Sequence, residues 1–225
     1  MKLVKPSFEI ITQIDKKELL TRREKTIRVC YKSEDRVEEG SAEKLLKNII
    51  AKGHEAMLEF ADVHVLAVCD RGVSHEIVRH RLASYAQEST RYCNYGKDEH
   101  MQFIIPCWLD IKESSYEKKT ALQDASLLAG FPIETGEFHW LYSMWSAEET
   151  YTSLLKQGWT PQQARSVLPN SLKTEINMKM NLRAWRNFFK LRVAPAAHPQ
   201  MRELAQPMLD AFKASIPLVF DDINY

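Results

Sequence analysis

Residues 175–192, EINMKMNLRAWRNFFKLR, change period half way along. Ile176, Met178 and Met180 alternate with Asn177 and Lys179, the period of two that a half-buried strand requires. Beyond Asn181 the spacing lengthens, and Trp185, Phe188, Phe189 and Leu191 fit one helical face. A strand running straight into an amphipathic helix points to a mixed fold.

The flanking sequence repeats that interleaving. Upstream, Ala61–Cys69 (ADVHVLAVC) is Val-rich and reads as a strand closing near Asp70 and Gly72. Asp70 is a cap for a helix expected from Val73 to Leu82. Leu45, Leu46, Ile49 and Ile50 place a helix over Ala42–Ala51, with Gly53 as its stop. Phe138, Leu141, Tyr142 and Trp145 form one stripe of a longer helix, Glu137–Lys156, ended by Gly158. Thr160-Pro161 then starts a short helix reaching Leu168. Downstream, Pro199–Leu209 reads as helical, with Pro207 expected to kink or end it. Arg23–Gly40 is charge-rich around a short apolar run, Ile27–Tyr31. Ser84–Tyr95 is dense in Ser, Thr, Gln and Asn and reads as an irregular, ordered loop. The residues leave α+β and α/β both open, and the order of strands is not legible.

Composition narrows the function classes. The chain has 225 residues, 44% hydrophobic, enough for one sizeable core and a single domain. Lys and Arg total 31 against 30 Asp and Glu, a net charge of +1, which disfavours a protein that coats nucleic acid. No apolar run reaches the roughly 18 residues of a membrane span, and the N-terminus lacks a secretory h-region. Cys30, Cys69, Cys93 and Cys107 lie far apart without a Cys-x-x-Cys pair, which favours a reduced, cytoplasmic setting and no metal site.

Chemistry concentrates at Arg79-His80-Arg81, followed by Ser84 and by Glu88-Ser89-Thr90-Arg91. Consecutive helical residues fan by about 100°, so the three basic side chains surround a helix end, where the macrodipole favours cations. The segment after them supplies hydroxyls, backbone N–H groups and a further arginine, the ingredients for gripping phosphate. By itself the pattern says anion, not which anion.

Arg79-His80-Arg81, Ser84, Ser89 and Arg91 at these spacings resemble the signature of flavin-dependent thymidylate synthases. Gly53-His54-Glu55 with Glu59 resembles that family's upstream block. Arg165-Ser166-Val167-Leu168-Pro169, Asn181-Leu182-Arg183, Asn187 and Leu191-Arg192 follow in family order, so the resemblance covers roughly residues 25–210. It implies a single α+β domain, a mixed sheet with flanking helices, in a homotetramer whose sites lie where subunits meet. It implies conversion of dUMP to dTMP, with FAD as cofactor and NADPH and 5,10-methylenetetrahydrofolate as co-substrates. No cysteine nucleophile is needed in that family, and no cysteine here has a neighbouring His to activate it.

Residue by residue, the resemblance makes His54, Glu59, Arg79, His80, Arg81, Gln87, Asn181, Arg183 and Asn187 cofactor contacts. It gives the nucleotide Glu76, Arg79, Gln87, Glu88, Ser89, Thr90, Arg91, Arg165 and Arg192. Arg91 and Arg165 are the expected phosphate partners, since guanidinium makes bidentate, charge-assisted bonds that lysine does not reproduce. Glu76 cannot hold a phosphate and is assigned to sugar or base. Arg192 is the expected catalytic group, a fixed cation where negative density develops on the uracil carbonyl and N3 edge. On periodicity alone, Arg183 and Asn187 are a polar helix face and Arg192 a carbonyl-capping helix end.

Some positions depart from the family. Ala86 and Ala56 lack polar groups usual there, Phe60 replaces a frequent His, and residues 196–202 (AAHPQMR) differ from the usual ending. Competing functions are a nucleotide- and flavin-binding module without catalysis, and a related enzyme that leaves a hydroxymethyl group.

Overall fold

A computed structural model describes residues 1–97, 101–115 and 130–225. Backbone contacts divide it into two compact units. The first comprises Met1–Ser7, Val68–Ile77 and Gln87–Ile176, the second Phe8–Ala67, Val78–Ala86 and Asn177–Tyr225.

In the first unit β1 (Lys2–Val4) pairs in parallel with β5 (Gln102–Ile104) and antiparallel with β6 (Ser114–Ser115), giving a mixed sheet. Leu3, Phe103, Leu141, Met144, Tyr151 and Leu172 are buried in its core. Helix α4 (Gly136–Lys156) covers that core and stops where expected. The Gly158 N–H bonds to Leu155 O and the Trp159 N–H to Leu154 O, both at 3.0 Å. That closure needs φ near +90° at Gly158, which only glycine adopts cheaply. Helix α5 (Pro161–Ala164) begins with a capping box between Thr160 and Gln163 and passes into a 3₁₀ turn, Arg165–Val167.

The second unit holds most of a four-stranded sheet in the order β2-β3-β7-β4. Its strands are β2 (Ser7–Ile10), β3 (Asp62–Asp70), β7 (Lys173–Asn181) and β4 (Ala83–Gln87). Thr174, Ile176, Met178 and Met180 are buried along β7, the alternation its sequence carries. Helix α6 (Leu182–Arg192) starts where Asn181 Oδ1 accepts from the Ala184 N–H at 2.8 Å. Trp185, Phe188 and Phe189 of α6 are fully buried with Phe212 of α7 (Pro199–Ser215) and Phe220 of α8 (Pro217–Phe220). Their ring centroids lie 4.9–5.8 Å apart. The Trp185 indole N–H donates to Val63 O at 3.0 Å, fastening α6 to β3. Leu191, expected on the buried face, is 55% exposed.

Four expectations change. Residues 16–31 form helix α1 (Lys16–Tyr31), which the charge-rich sequence concealed. Its inner face is Leu20, Arg23, Glu24, Ile27 and Arg28, helical spacing filled largely by charge; Arg28 Nη2 pairs with Glu24 Oε1 at 2.6 Å. Helix α3 (Arg71–Ile77) is capped by Asp70, whose Oδ1 accepts from the Val73 N–H at 2.6 Å, but ends five residues short of Leu82. Residues 79–81 therefore follow the helix rather than ring its last turn, and the Tyr85 hydroxyl takes the His80 carbonyl at 2.8 Å. Ser84–Tyr95 begins as a strand, β4, because pairing in the sheet outweighs the weak strand propensity of ASYAQ. Finally, α7 continues through Pro207. Pro207 is exposed while Leu204, Ala205, Met208, Leu209 and Phe212 are buried on both sides of it, and that burial exceeds the ~3 kcal/mol cost of a mid-helix proline.

Helix α2 (Ser41–Ala51) ends as α4 does, with Gly53 N–H to Ile50 O at 2.9 Å and His54 N–H to Ile49 O at 2.8 Å. It leads into a 3₁₀ turn, Glu55–Phe60. Glu55 Oε1 accepts from Arg186 Nε at 3.0 Å, and the same buried guanidinium grips both Asp222 oxygens at 2.6 and 2.7 Å. Its Nη1 also donates to Val219 O. Arg186 thus staples the C-terminal segment and the Glu55 turn to α6. The hydrogen bonds from Arg186 hold the Asp222 carboxyl below its usual pKa. Asp222→Ala is expected to lower unfolding free energy by about 2–3 kcal/mol, less than a fully buried pair because half the Asp222 side chain is exposed. A depressed folded pKa contributes stability above about pH 4 that is lost as pH falls further. Urea titrations should show that acid-side loss in the wild type and a smaller one in the variant.

Candidate functional site: a cationic pocket and an arginine-hydroxyl cluster

The second unit contains an open pocket of about 840 Å³. It is lined by Glu55, Glu59, Arg79, His80, Arg81, Leu82, Asn181, Arg183, Ala184, Asn187, Lys190, Leu191 and Arg192. Its floor follows from the helix period. With Trp185, Phe188 and Phe189 turned inward, Arg183, Asn187, Lys190 and Leu191 must share the outer face of α6. Arg79, His80 and Arg81 enter from the turn after α3. Five cationic side chains meet two carboxylates in the lining, and both carboxylates are engaged: Arg183 Nη1 donates to Glu59 Oε1 at 2.6 Å, while Glu55 Oε1 accepts from Arg186 Nε and lies 3.6 Å from Lys190 Nζ.

His80 and Arg192 are joined directly, Arg192 Nε donating to His80 Nε2 at 2.9 Å. Guanidinium can only donate, so His80 Nε2 is the bare nitrogen of a neutral ring. Burial, then the Arg192 charge, lowers the His80 pKa from 6.5 to about 4. The ring packs edge-on against Phe188, centroids 4.9 Å apart, which fixes its plane. Tyr85 Oη, donating to the His80 carbonyl, holds the backbone, and burial pushes that phenol up to about 12. At neutral pH His80 is therefore an uncharged acceptor that orients a permanent cation.

The first unit gathers a different set. Arg165 Nη1 donates to Thr90 Oγ1 at 3.4 Å, and Arg91 Nε donates to Gln162 Oε1 at 3.1 Å. The Arg91 guanidinium sits 5.3 Å from the Tyr92 ring centroid, and its backbone N–H donates to Ser89 Oγ at 3.3 Å. Gln87 Nε2 donates to Ser74 Oγ at 2.9 Å and Thr174 Oγ1 at 3.2 Å. Glu88 Oε2 accepts from Lys173 Nζ at 3.4 Å, and Glu76 stands on α3. Two exposed guanidiniums beside a buried Thr hydroxyl make a locally cationic, donor-rich patch despite the neutral whole.

Seven of the nine expected cofactor residues, and Arg192, line the one pocket. His54 and Gln87 do not; His54 Nδ1 instead lies 3.1 Å from Tyr31 Oη. Lys190 and Tyr85 escaped sequence reading. Lys190 could have been found from its place one turn beyond Asn187; Tyr85 carried no signal, being read as loop. None of Ala56, Phe60 and Ala86 lines this pocket. Cys69, the buried thiol, is pushed up to about 12 chiefly by burial, which makes it a poor nucleophile. Among the described residues no cluster of His, Cys, Asp or Glu could hold a metal ion, and no helix is long and apolar enough to cross a membrane.

Two groups of arginines on a mixed α+β fold give the chain surfaces chemically suited to anions. The family model for thymidylate synthase complementing protein matches residues 12–218, and the chain belongs to that family. A flavin-dependent thymidylate synthase of Corynebacterium aurimucosum is 33% identical over 88% of this chain and 77% of its own length. Another, from Pyrococcus furiosus, is 32% identical over 78% of this chain, which spans 64% of that relative. Among solved structures, thymidylate synthase X from Helicobacter pylori with FAD and dUMP superposes with a TM-score of 0.71 at 21% identity, over 97% of this chain and 98% of its own. The UMP/dUMP methylase from Streptomyces cacaoi bound with 5-Br dUMP gives 0.73 at 22% identity, over 98% and 96%. The fold is theirs.

The His80 geometry is open to direct measurement. In ¹⁵N NMR the His80 ring should titrate near pH 4 rather than 6.5, and Arg192→Ala should move it upward. A depressed histidine pKa contributes stability above about pH 6.5 that is lost as pH falls toward 4. A ring titrating near 6.5 in both proteins would remove the Arg192 tether.

Proposed function

We propose that this protein is a flavin-dependent thymidylate synthase that converts dUMP, 5,10-methylenetetrahydrofolate, NADPH and a proton to dTMP, tetrahydrofolate and NADP⁺. The observation that carries the reading is the assembly of Arg79, His80, Arg81, Asn181, Arg183, Asn187 and Arg192, distant in sequence, around one pocket. FAD fits that lining: its pyrophosphate dianion meets a cationic excess, and about 840 Å³ lies within the range of cofactor-sized pockets. When bound and reduced by NADPH, FAD supplies the hydride that turns the transferred one-carbon unit into a methyl group.

The chain's own residues do the rest. Arg79, Arg81 and Arg183 hold cofactor phosphates, Asn181 and Asn187 supply amide bonds, and Glu59 fixes the Arg183 guanidinium. His54 and Gln87 complete the cofactor set. Arg91 and Arg165 take the dUMP phosphate with Ser89 and Thr90, while Glu76 and Glu88 address sugar or base. Arg79 reaches dUMP as well. Arg192, oriented by neutral His80, lies along the uracil carbonyl and N3 edge and stabilises the negative charge that builds there as C5 attacks. A guanidinium already oriented and unable to lose its proton costs little reorganisation at that moment. The working form is a cytoplasmic homotetramer of single-domain subunits, with sites completed where subunits meet.

The deciding experiment is release of the C5 hydrogen of labelled dUMP, which should require methylenetetrahydrofolate and NADPH and yield dTMP. Release with a hydroxymethyl product would transfer the chain to the alternative enzyme, and no release would leave a binding module. Arg192→Ala is expected to cut turnover about 10²–10³-fold while retaining FAD. Deoxyuridine should bind at least about tenfold more weakly than dUMP; equal affinities would remove Arg91 and Arg165 from the phosphate site.

A further inference from the structure

A second pocket in the second unit, about 250 Å³, lies between the start of α1 and the start of β3. It has room for roughly eight waters' volume. Arg23 lines it, only 7% exposed, and neither its Nε nor its Nη1 has a hydrogen-bond partner among the described residues. Arg22 and three carboxylates also line the pocket, and each carboxylate is engaged by a group other than Arg23. Asp15 Oδ1 caps α1 by accepting from the Glu18 N–H at 2.9 Å, Glu18 pairs with Arg22, and Asp62 lies 3.3 Å from Lys179 Nζ. Burial, reinforced by the neighbouring Arg22 charge, holds the Arg23 pKa below its usual value. A buried guanidinium without a counter-ion is costly, and proteins normally pair such a charge.

We propose that this pocket binds a monocarboxylate carried on an apolar stem, with Arg23 as its counter-ion. The apolar part of the lining, Ile14, Leu19, Phe60 and Val63, suits a hydrocarbon or aromatic stem. The three carboxylates around it repel a dianionic phosphate more than a single carboxylate. One chemistry has two sources: a free small carboxylate, or the Asp or Glu side chain of a second copy of this chain.

Benzoate serves as the probe, with benzyl alcohol as its uncharged counterpart and inorganic phosphate as the dianion. Calorimetric titration of the full chain should show saturable benzoate binding, at least about tenfold weaker in Arg23→Met, and none of benzyl alcohol. Should a second copy supply the carboxylate, benzoate will not bind the assembled protein. Sedimentation should then show self-association weakened at least about tenfold in Arg23→Met. Should that variant not fold, the wild-type Arg23 Nε–H resonance gives the same answer, shifting with benzoate or with protein concentration. An Arg23 resonance indifferent to both, or unchanged benzoate binding and self-association in Arg23→Met, overturns the proposal. So does phosphate binding more tightly than benzoate.

Discussion

A helix cannot bury one face without committing the other, and the pocket depends on that constraint in α6. Trp185, Phe188 and Phe189 enter a cluster with Phe212 and Phe220 in which every ring is fully buried. Truncating any one of them removes about 3–5 kcal/mol of packing. The period that sends those rings inward sends Arg183, Asn187 and Lys190 outward, one above another, into the pocket. Core and site are two readings of the same eleven residues, Leu182–Arg192.

Charge is handled by local pairing rather than by bulk excess. With 31 basic and 30 acidic residues the chain exerts little long-range pull on anions, so its cationic surfaces arise where the fold gathers arginines. Two neighbours, one exposed and one partly buried, are used to aim them. Glu59 fixes Arg183, and a histidine kept neutral by burial accepts from Arg192 without cancelling its charge. A carboxylate in place of His80 would also orient Arg192, but would neutralise the group meant to face developing negative charge. Arg186 shows the opposite use, its charge fully spent on Glu55, Asp222 and the Val219 carbonyl as a structural staple.

Where sequence reading failed, tertiary contacts had overridden a local rule. Helix α1 has a regular inner face at Leu20, Arg23, Glu24, Ile27 and Arg28, but three of those residues are charged, so a search for apolar periodicity passes over it. The Glu24–Arg28 pair that makes this tolerable is visible only when the helix is built. Pro207 should interrupt α7, yet it lies on the exposed side while burial continues before and after it. The segment ASYAQ has no strand composition of its own and becomes β4 because a neighbouring strand in the sheet offers its ladder.

The amino-acid order alone determined the alternation of Ile176, Met178 and Met180, the aromatic face of α6, the glycine stops at Gly53 and Gly158, and the spacing of the arginine motif. Each is set by near neighbours along the chain, through the periods of strand and helix and the positive φ that glycine permits. Tertiary structure decided which motif residues share a pocket, that His80 is neutral and bonded to Arg192, and that Lys190 belongs with them. Those outcomes depend on burial and on distances between segments a hundred residues apart, which desolvate and orient a group in ways its own neighbours do not encode.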